Sequence, residues 1–328
     1  MPLKLLFLFA CVFFLTLFGA ALGADGLNVY FKTTPGVKLL RPFYDPADMA
    51  LLVTGADGRP LEQGSVDIRL DAPKPGRIFS TDFPLVEGTR LTEMRLSLRN
   101  GRVSWKTLLP IRGEYRLSVD ITASDGRRAS KVFKFTIREN EKKWLALGGL
   151  SLGLFLLGFV AGRIFTGSRS AAAALAALAF LAVPLESGRA QEDEPDGKAI
   201  LVVEPATVGQ LSLVRWSRGS DTALAPSPAL LTLTIEHLEK NKIAFAIDRI
   251  PVAGEFSMKF HFTDGARYRV RTLAQIPGEA PLRNERVVDV TGLEPPARAM
   301  VPALALFLGL IALGLGAGRW SKRHKRFA

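Results

Sequence analysis

The stretch LGLFLLGFVAGR, Leu152–Arg163, returns later in the chain as LGLIALGLGAGR, Leu308–Arg319. Eight of the twelve positions are identical, at an offset of 156 residues. Each copy lies in an apolar run, Trp144–Phe165 and Met300–Trp320. Both runs are long enough to cross a bilayer as a helix, with Trp144 and Trp320 at interfacial depth. Gly158–Gly162 and Gly314–Gly318 share the GxxxG spacing that lets two helix backbones approach in lipid. These four glycines are expected to pack one helix on the other.

Working outward, the chain from Lys4 reads KLLFLFACVFFLTLFGAALGA, a basic start, an apolar run and small residues at the end. That is the pattern of a secretory signal or an uncleaved anchor, over residues 1–24. The chain's one cysteine, Cys11, lies inside this run, so no internal disulfide forms. The run before Cys11 is too short, and the run after it too long, for a lipoprotein cleavage site. A third run, SAAAALAALAFLAVPL at 170–185, has sixteen residues. At ~1.5 Å per residue it reaches about 24 Å, short of a ~30 Å hydrocarbon core. Charge decides its reading. Arg163 and Arg169 follow one helix, and SKRHKR follows Trp320. Short basic flanks stay cytoplasmic. Both flanks are inside only if 170–185 crosses as well.

The layout that follows has nine parts. They are a signal or anchor at 1–24, a β domain at 25–143, a spanning helix at 144–165 and a short cytoplasmic loop at 166–169. Next come the alanine-rich helix at 170–185, an acidic linker at 186–198, a second β domain at 199–295, a spanning helix at 299–320 and a basic tail at 321–328. The chain reads as one module written twice, with both β domains on the periplasmic side of a bacterial inner membrane and the C-terminus in the cytoplasm.

Charge is uneven along the 328 residues. Of the formal net charge of +12, segment 24–143 carries a surplus of six Lys/Arg, segment 186–298 a deficit of two, and the last ten residues five Lys/Arg with no acid. No basic stripe with interleaved aromatics and no nucleic-acid motif is present, which argues against nucleic acid as a partner.

The soluble segments read as strands broken by turns. Met49–Gly55, Ser65–Leu70, Arg90–Leu98, Arg102–Leu109, Glu114–Ala123 and Arg127–Ile137 alternate apolar with polar residues. Asn100-Gly101 between two such runs is a strong hairpin signal. Val132, Phe133, Phe135 and Ile137 suggest a core face with one irregularity. The second segment offers AILVVE, QLSLVRW, ALLTLTI, IAFAID, EFSMKFHF, RYRVRTLA and ERVVDV. About seven short strands per segment predict two antiparallel β-sandwiches, each followed by a membrane helix. Tyr115-Arg116 and Tyr268-Arg269 lie 153 residues apart in matching strands, GEYRLSV and GARYRV, so the duplication extends through the β domains.

That Gly-x-Tyr-type strand, followed by a last strand and a membrane helix, resembles bacterial membrane-anchored immunoglobulin-like modules. The second copy, VAGEFSMKFHFTDGARYRVRTLA, is similar to FixH/YtkA-type sandwiches. The resemblance implies an extracytoplasmic sandwich and, in some relatives, copper handling or oxidase assembly. It covers about forty residues.

Copper handling needs soft or imidazole ligands converging on one point. The first β segment has no histidine, and the second offers His237, His261 and Met258. Strand alternation puts Met258, Phe260 and Phe262 on one face, the core, and Lys259, His261 and Thr263 on the other, facing solvent. No metal site or cofactor is therefore expected. Gly149-Leu-Ser151-Leu-Gly153 matches the nucleophile pattern G-x-S-x-G but lies inside a spanning helix, where it packs rather than reacts. The run Glu192–Glu194 reads as solvated linker. The expectation is a non-catalytic binding or scaffold protein of a membrane assembly, with lipid and a membrane or periplasmic protein as partners, or a homo-oligomer. Metal delivery to a respiratory enzyme is the alternative.

Overall fold

A computed structural model describes residues 26–164, 199–218 and 228–324. The expected leader at 1–24, the segments at 166–169, 170–185 and 186–198, and the end of the basic tail lie outside the described residues. The chain forms two compact units. One holds every strand, and the other holds Pro75–Pro84 and two apolar helices.

The strands of the first half are β1 (Asn28–Thr34), β2 (Ala47–Thr54), β3 (Gln63–Asp71), β4 (Arg90–Arg99), β5 (Arg102–Thr107), β6 (Gly113–Ala123) and β7 (Arg128–Ile137). Those of the second half are β8 (Ala199–Val203), β9 (Leu211–Arg218), β10 (Ala229–His237), β11 (Lys242–Val252), β12 (Glu255–His261), β13 (Arg267–Gln275) and β14 (Leu282–Asp289). Each run read as a strand in the sequence is one here, and β1 is an addition. Period-two patterning is the cause. In β3, Val66, Ile68 and Leu70 are buried while Asp67 and Arg69 are not. In β7, Phe135 and Ile137 turn inward, and Val132 is the irregularity, half exposed on the outer face.

Every ladder is antiparallel. In the first half β7, β6, β3 and β4 lie side by side, and so do β1, β2 and β5. In the second half the same two sets recur as β14, β13, β10, β11 and β8, β9, β12. Aromatic rings join one set to the other. Phe31 of β1 meets Phe133 and Phe135 of β7 at 5.4 and 5.6 Å, and Phe245 of β11 meets Phe260 of β12 at 5.8 Å.

The turn expected at Asn100-Gly101 forms, with φ of 51° and 66°, as a type I′ turn requires. A Cβ on Gly101 would strike the Val53 carbonyl, so glycine is needed for room as well as for φ. The strands that leave the turn share only the pair Arg99↔Arg102. Beyond it β4 joins β3, and β5 joins β2. Turn chemistry dictates two residues. Burial decides the rest, because Leu96 and Leu98 on β4 and Val103 and Trp105 on β5 each reach the core from a different set of strands.

The halves are joined by strand pairing. β4 pairs with β12 through Thr92↔Phe260, Glu93↔Lys259 and Met94↔Met258. β5 pairs with β11 through Thr107↔Phe245, Lys106↔Ala246 and Trp105↔Ile247. Adding 153 to each first-half number, and subtracting it from each second-half number, turns one set of pairs into the other. The seam therefore has an internal two-fold relationship.

The second unit is built on α1 (Glu141–Ile164) and α2 (Ala297–His324). Asn140 caps α1, its Oδ1 accepting the Lys142 backbone N–H at 3.1 Å. The helices run in the same direction. A Cβ on Gly158 would collide with the Ile311 carbonyl, one on Gly162 with that of Leu315, one on Gly314 with that of Phe155, and one on Gly318 with that of Phe159. Leu145, Leu152, Leu157, Leu304 and Leu313 are exposed instead. A helix of a water-soluble protein buries leucine and tolerates glycine outside. Here these four glycines are inside and the leucines outside.

Candidate functional site

Away from its three paired rows the seam opens. The β5–β11 ladder ends at Trp105↔Ile247, and the chain on each side runs on to its own corner. The side of β5 turned away from β2 has no ladder partner at Val103 and Ser104, between the single pair with Arg99 and the start of the β11 ladder. Between the diverging strands is a cleft of about 420 Å³, lined by Arg99, Asn100, Arg102, Ser104, Asp248 and Arg249 among others. Arg249 has Asp248 at 3.4 Å. Arg99 and Arg102 are exposed and have no ion-pair partner among the described residues. Two free guanidiniums beside an unpaired strand edge suit an extended anionic segment, through backbone hydrogen bonds and bidentate carboxylate contacts.

The three residues considered as metal ligands are not brought together. Met258 is buried in the seam opposite Met94. His261, expected on a solvent face, is 1% exposed. Alternation does not decide its exposure, because the strand end is covered from outside by first-half chain. Its Nδ1–H donates to Thr89 Oγ1 at 2.9 Å, and its Nε2 accepts the Gly209 backbone N–H at 2.9 Å. Burial pushes the imidazole down to about 4, so it is neutral at pH 7.

His237 is fully buried and serves the same seam. Its Nδ1 accepts the Lys240 backbone N–H at 3.3 Å, which leaves Nε2 to donate to Asp264 at 3.1 Å. Phe43 of the first half meets its ring edge-on at 6.0 Å, and Lys240 sits 3.9 Å above the Phe43 ring. Burial alone would raise the Asp264 carboxyl. Hydrogen bonds from His237, Lys240 and Tyr268 outweigh that and hold it below the usual carboxylate range. All four imidazole nitrogens are thus engaged with protein. No group of three or more His, Cys, Asp or Glu gathered for a metal occurs among the described residues.

Tyr115 and Tyr268 fix the two equivalent corners. Tyr115 is buried, donates its hydroxyl to the Ile111 carbonyl at 2.6 Å and accepts the Ile111 N–H at 3.0 Å. This is the tyrosine corner of immunoglobulin-like folds. Tyr268 makes the same four-residue reach to Asp264, with the carboxylate in place of a carbonyl.

No family model and no curated protein matches the chain. Among solved structures, the PmoD soluble domain from Methylocystis sp. is 15% identical, covers 36% of this chain and 96% of its own, and has a TM-score of 0.25. Invasin, a bacterial integrin-binding protein, is 10% identical over 83% of this chain and 40% of its own, with a TM-score of 0.24. Red sea bream transglutaminase is 9% identical over 82% of this chain and 32% of its own, with a TM-score of 0.22. The chain thus spans less than half the length of the last two.

Proposed function

We propose that this chain is a non-catalytic, membrane-anchored binding and scaffold protein. In this reading two immunoglobulin-like sandwiches, fused side by side, stand on the periplasmic face of a bacterial inner membrane. They hold an acidic segment of a membrane-protein partner, as a subunit or assembly factor of a complex. The observation that carries the binding role is the seam cleft, with Arg99 and Arg102 beside an unpaired strand edge. The membrane assignment is supported by the outward leucines of α1 and α2, which sit well in lipid and badly in water. At 24 residues α1 is about 36 Å long, enough to cross.

Direction supports the topology. Parallel helices that both cross must cross the same way, as this topology has them. Strand pairing across the seam requires both β halves to share one aqueous side. The copper-delivery alternative finds its imidazoles already committed to hydrogen bonds.

The test uses the tagged full-length chain taken from its native membranes. Membrane proteins that co-purify with it should be lost from the Arg99→Glu, Arg102→Glu double variant while the fold, read by circular dichroism, is kept. Retention of the same partners at the same ratio removes the cleft from the proposal. Compartment reporters after Lys198 and after Ala328 should give opposite answers, and agreement between them removes the topology.

A further inference from the structure

The two halves differ most in one connection. β10 reaches β11 through residues 238–241, whereas β3 reaches β4 through residues 72–89. The added chain contains Lys74-Pro-Gly-Arg77-Ile78-Phe79, and its central part, Pro75–Pro84, belongs to the helix unit rather than to the strands. Asp82 is ion-paired with Lys143, one residue before Trp144 at the start of α1. Ile78 is 68% exposed and Phe79 43% exposed, with Arg77 exposed next to them.

We infer that this loop is a second membrane contact. In it Ile78 and Phe79 enter the interfacial layer, while Arg77, with Lys74 beside it in the chain, meets anionic phospholipid headgroups. The inference rests on the reading of α1 as a spanning helix. Given that reading, the Asp82–Lys143 pair holds the loop at the depth of Trp144, where an aromatic belt sits. Two exposed apolar side chains preceded by two cations match an anionic lipid surface in both hydrophobicity and charge. A loop serving only to close a sheet would do so in four residues, as the second half does.

The experiment uses the full-length chain with Cys11→Ser and one cysteine at Ser80, carrying an environment-sensitive fluorophore. It is reconstituted into vesicles of phosphatidylglycerol and phosphatidylcholine in equal parts. A parallel sample carries the probe at Leu157→Cys. The expected result is blue-shifted emission at Ser80, quenched by lipids spin-labelled near the headgroup, and quenching at Leu157 by lipids labelled deep in the chain. Ile78→Asp with Phe79→Asp should return the Ser80 probe to its emission in water. Arg77→Gln should weaken the dependence of Ser80 quenching on phosphatidylglycerol about fivefold, the equivalent of one basic residue at such a surface.

A Ser80 probe in water alongside a quenched Leu157 probe overturns the loop contact and leaves the spanning helix standing. Two probes in water overturn both. Shielding at Ser80 that survives Ile78→Asp with Phe79→Asp, or that appears only in native membranes, assigns the loop to a protein neighbour and overturns the lipid contact.

Discussion

Met94 stands opposite Met258 where β4 meets β12, each no more than 3% exposed, and the pair has its counterpart in Trp105 opposite Ile247. Side chains from both halves therefore fill one continuous interior. Trp105→Ala empties a large buried volume at this seam and should cost about 3–5 kcal/mol. The loss should appear as one shifted urea transition, seen alike by fluorescence and circular dichroism. Two separate transitions, with only the first half affected, would show that the halves fold independently.

Tyr115 satisfies both backbone groups of Ile111, and burial raises its hydroxyl pKa well above the ordinary tyrosine value. Tyr115→Phe keeps the ring and strands two buried backbone groups, at about 1–3 kcal/mol. Tyr268→Phe removes one of three donors to Asp264 and should cost the same order. Urea midpoints decide this, and a change below ~0.5 kcal/mol, the ordinary size of a surface substitution, refutes the corner's role.

The buried His261 makes stability depend on pH in a definite window. Its folded value near 4 lies below its ordinary 6.5, so the unfolded chain binds the extra proton first. Stability is complete above pH 6.5 and falls as pH drops toward 4, by up to about 3 kcal/mol. His261→Gln should flatten the profile between those limits. A wild-type profile that is already flat there contradicts a neutral, buried imidazole.

Gly158 and Gly162 admit the Ile311 and Leu315 backbones to close approach. With Gly158→Leu and Gly162→Leu together, the helices cannot close to that distance. Cysteines placed one on each helix beside these glycines, in a Cys11→Ser background, should crosslink in the parent and not in the double variant. Mass spectrometry of the digested chain reads the result, and undiminished crosslinking counts against glycine-mediated packing.

The strands were readable because alternation and turn residues are local signals. SVDIRL states its buried face within six residues, and Asn100-Gly101 states its turn within two. The seam was not readable. Glu93 and Lys259 are 166 positions apart and look like any other exposed charges on alternating strands, and nothing near either one names the other. Alternation places His261 in solvent because it describes a strand's two faces and says nothing of a loop laid over one of them. Thr89 and Gly209, which hold the ring, come from turns without periodicity. The Pro75–Pro84 loop was silent for the same reason. Asp248 and Arg249 join the cleft only through the divergence of β11 from β5, which no local pattern encodes.

The internal two-fold has a practical corollary for the living cell. Surfaces that meet within one polypeptide find each other at a local concentration set by the connecting chain, independent of how many copies are made. Scarcity then cannot pull this interface apart, and a single copy of the chain suffices to complete it.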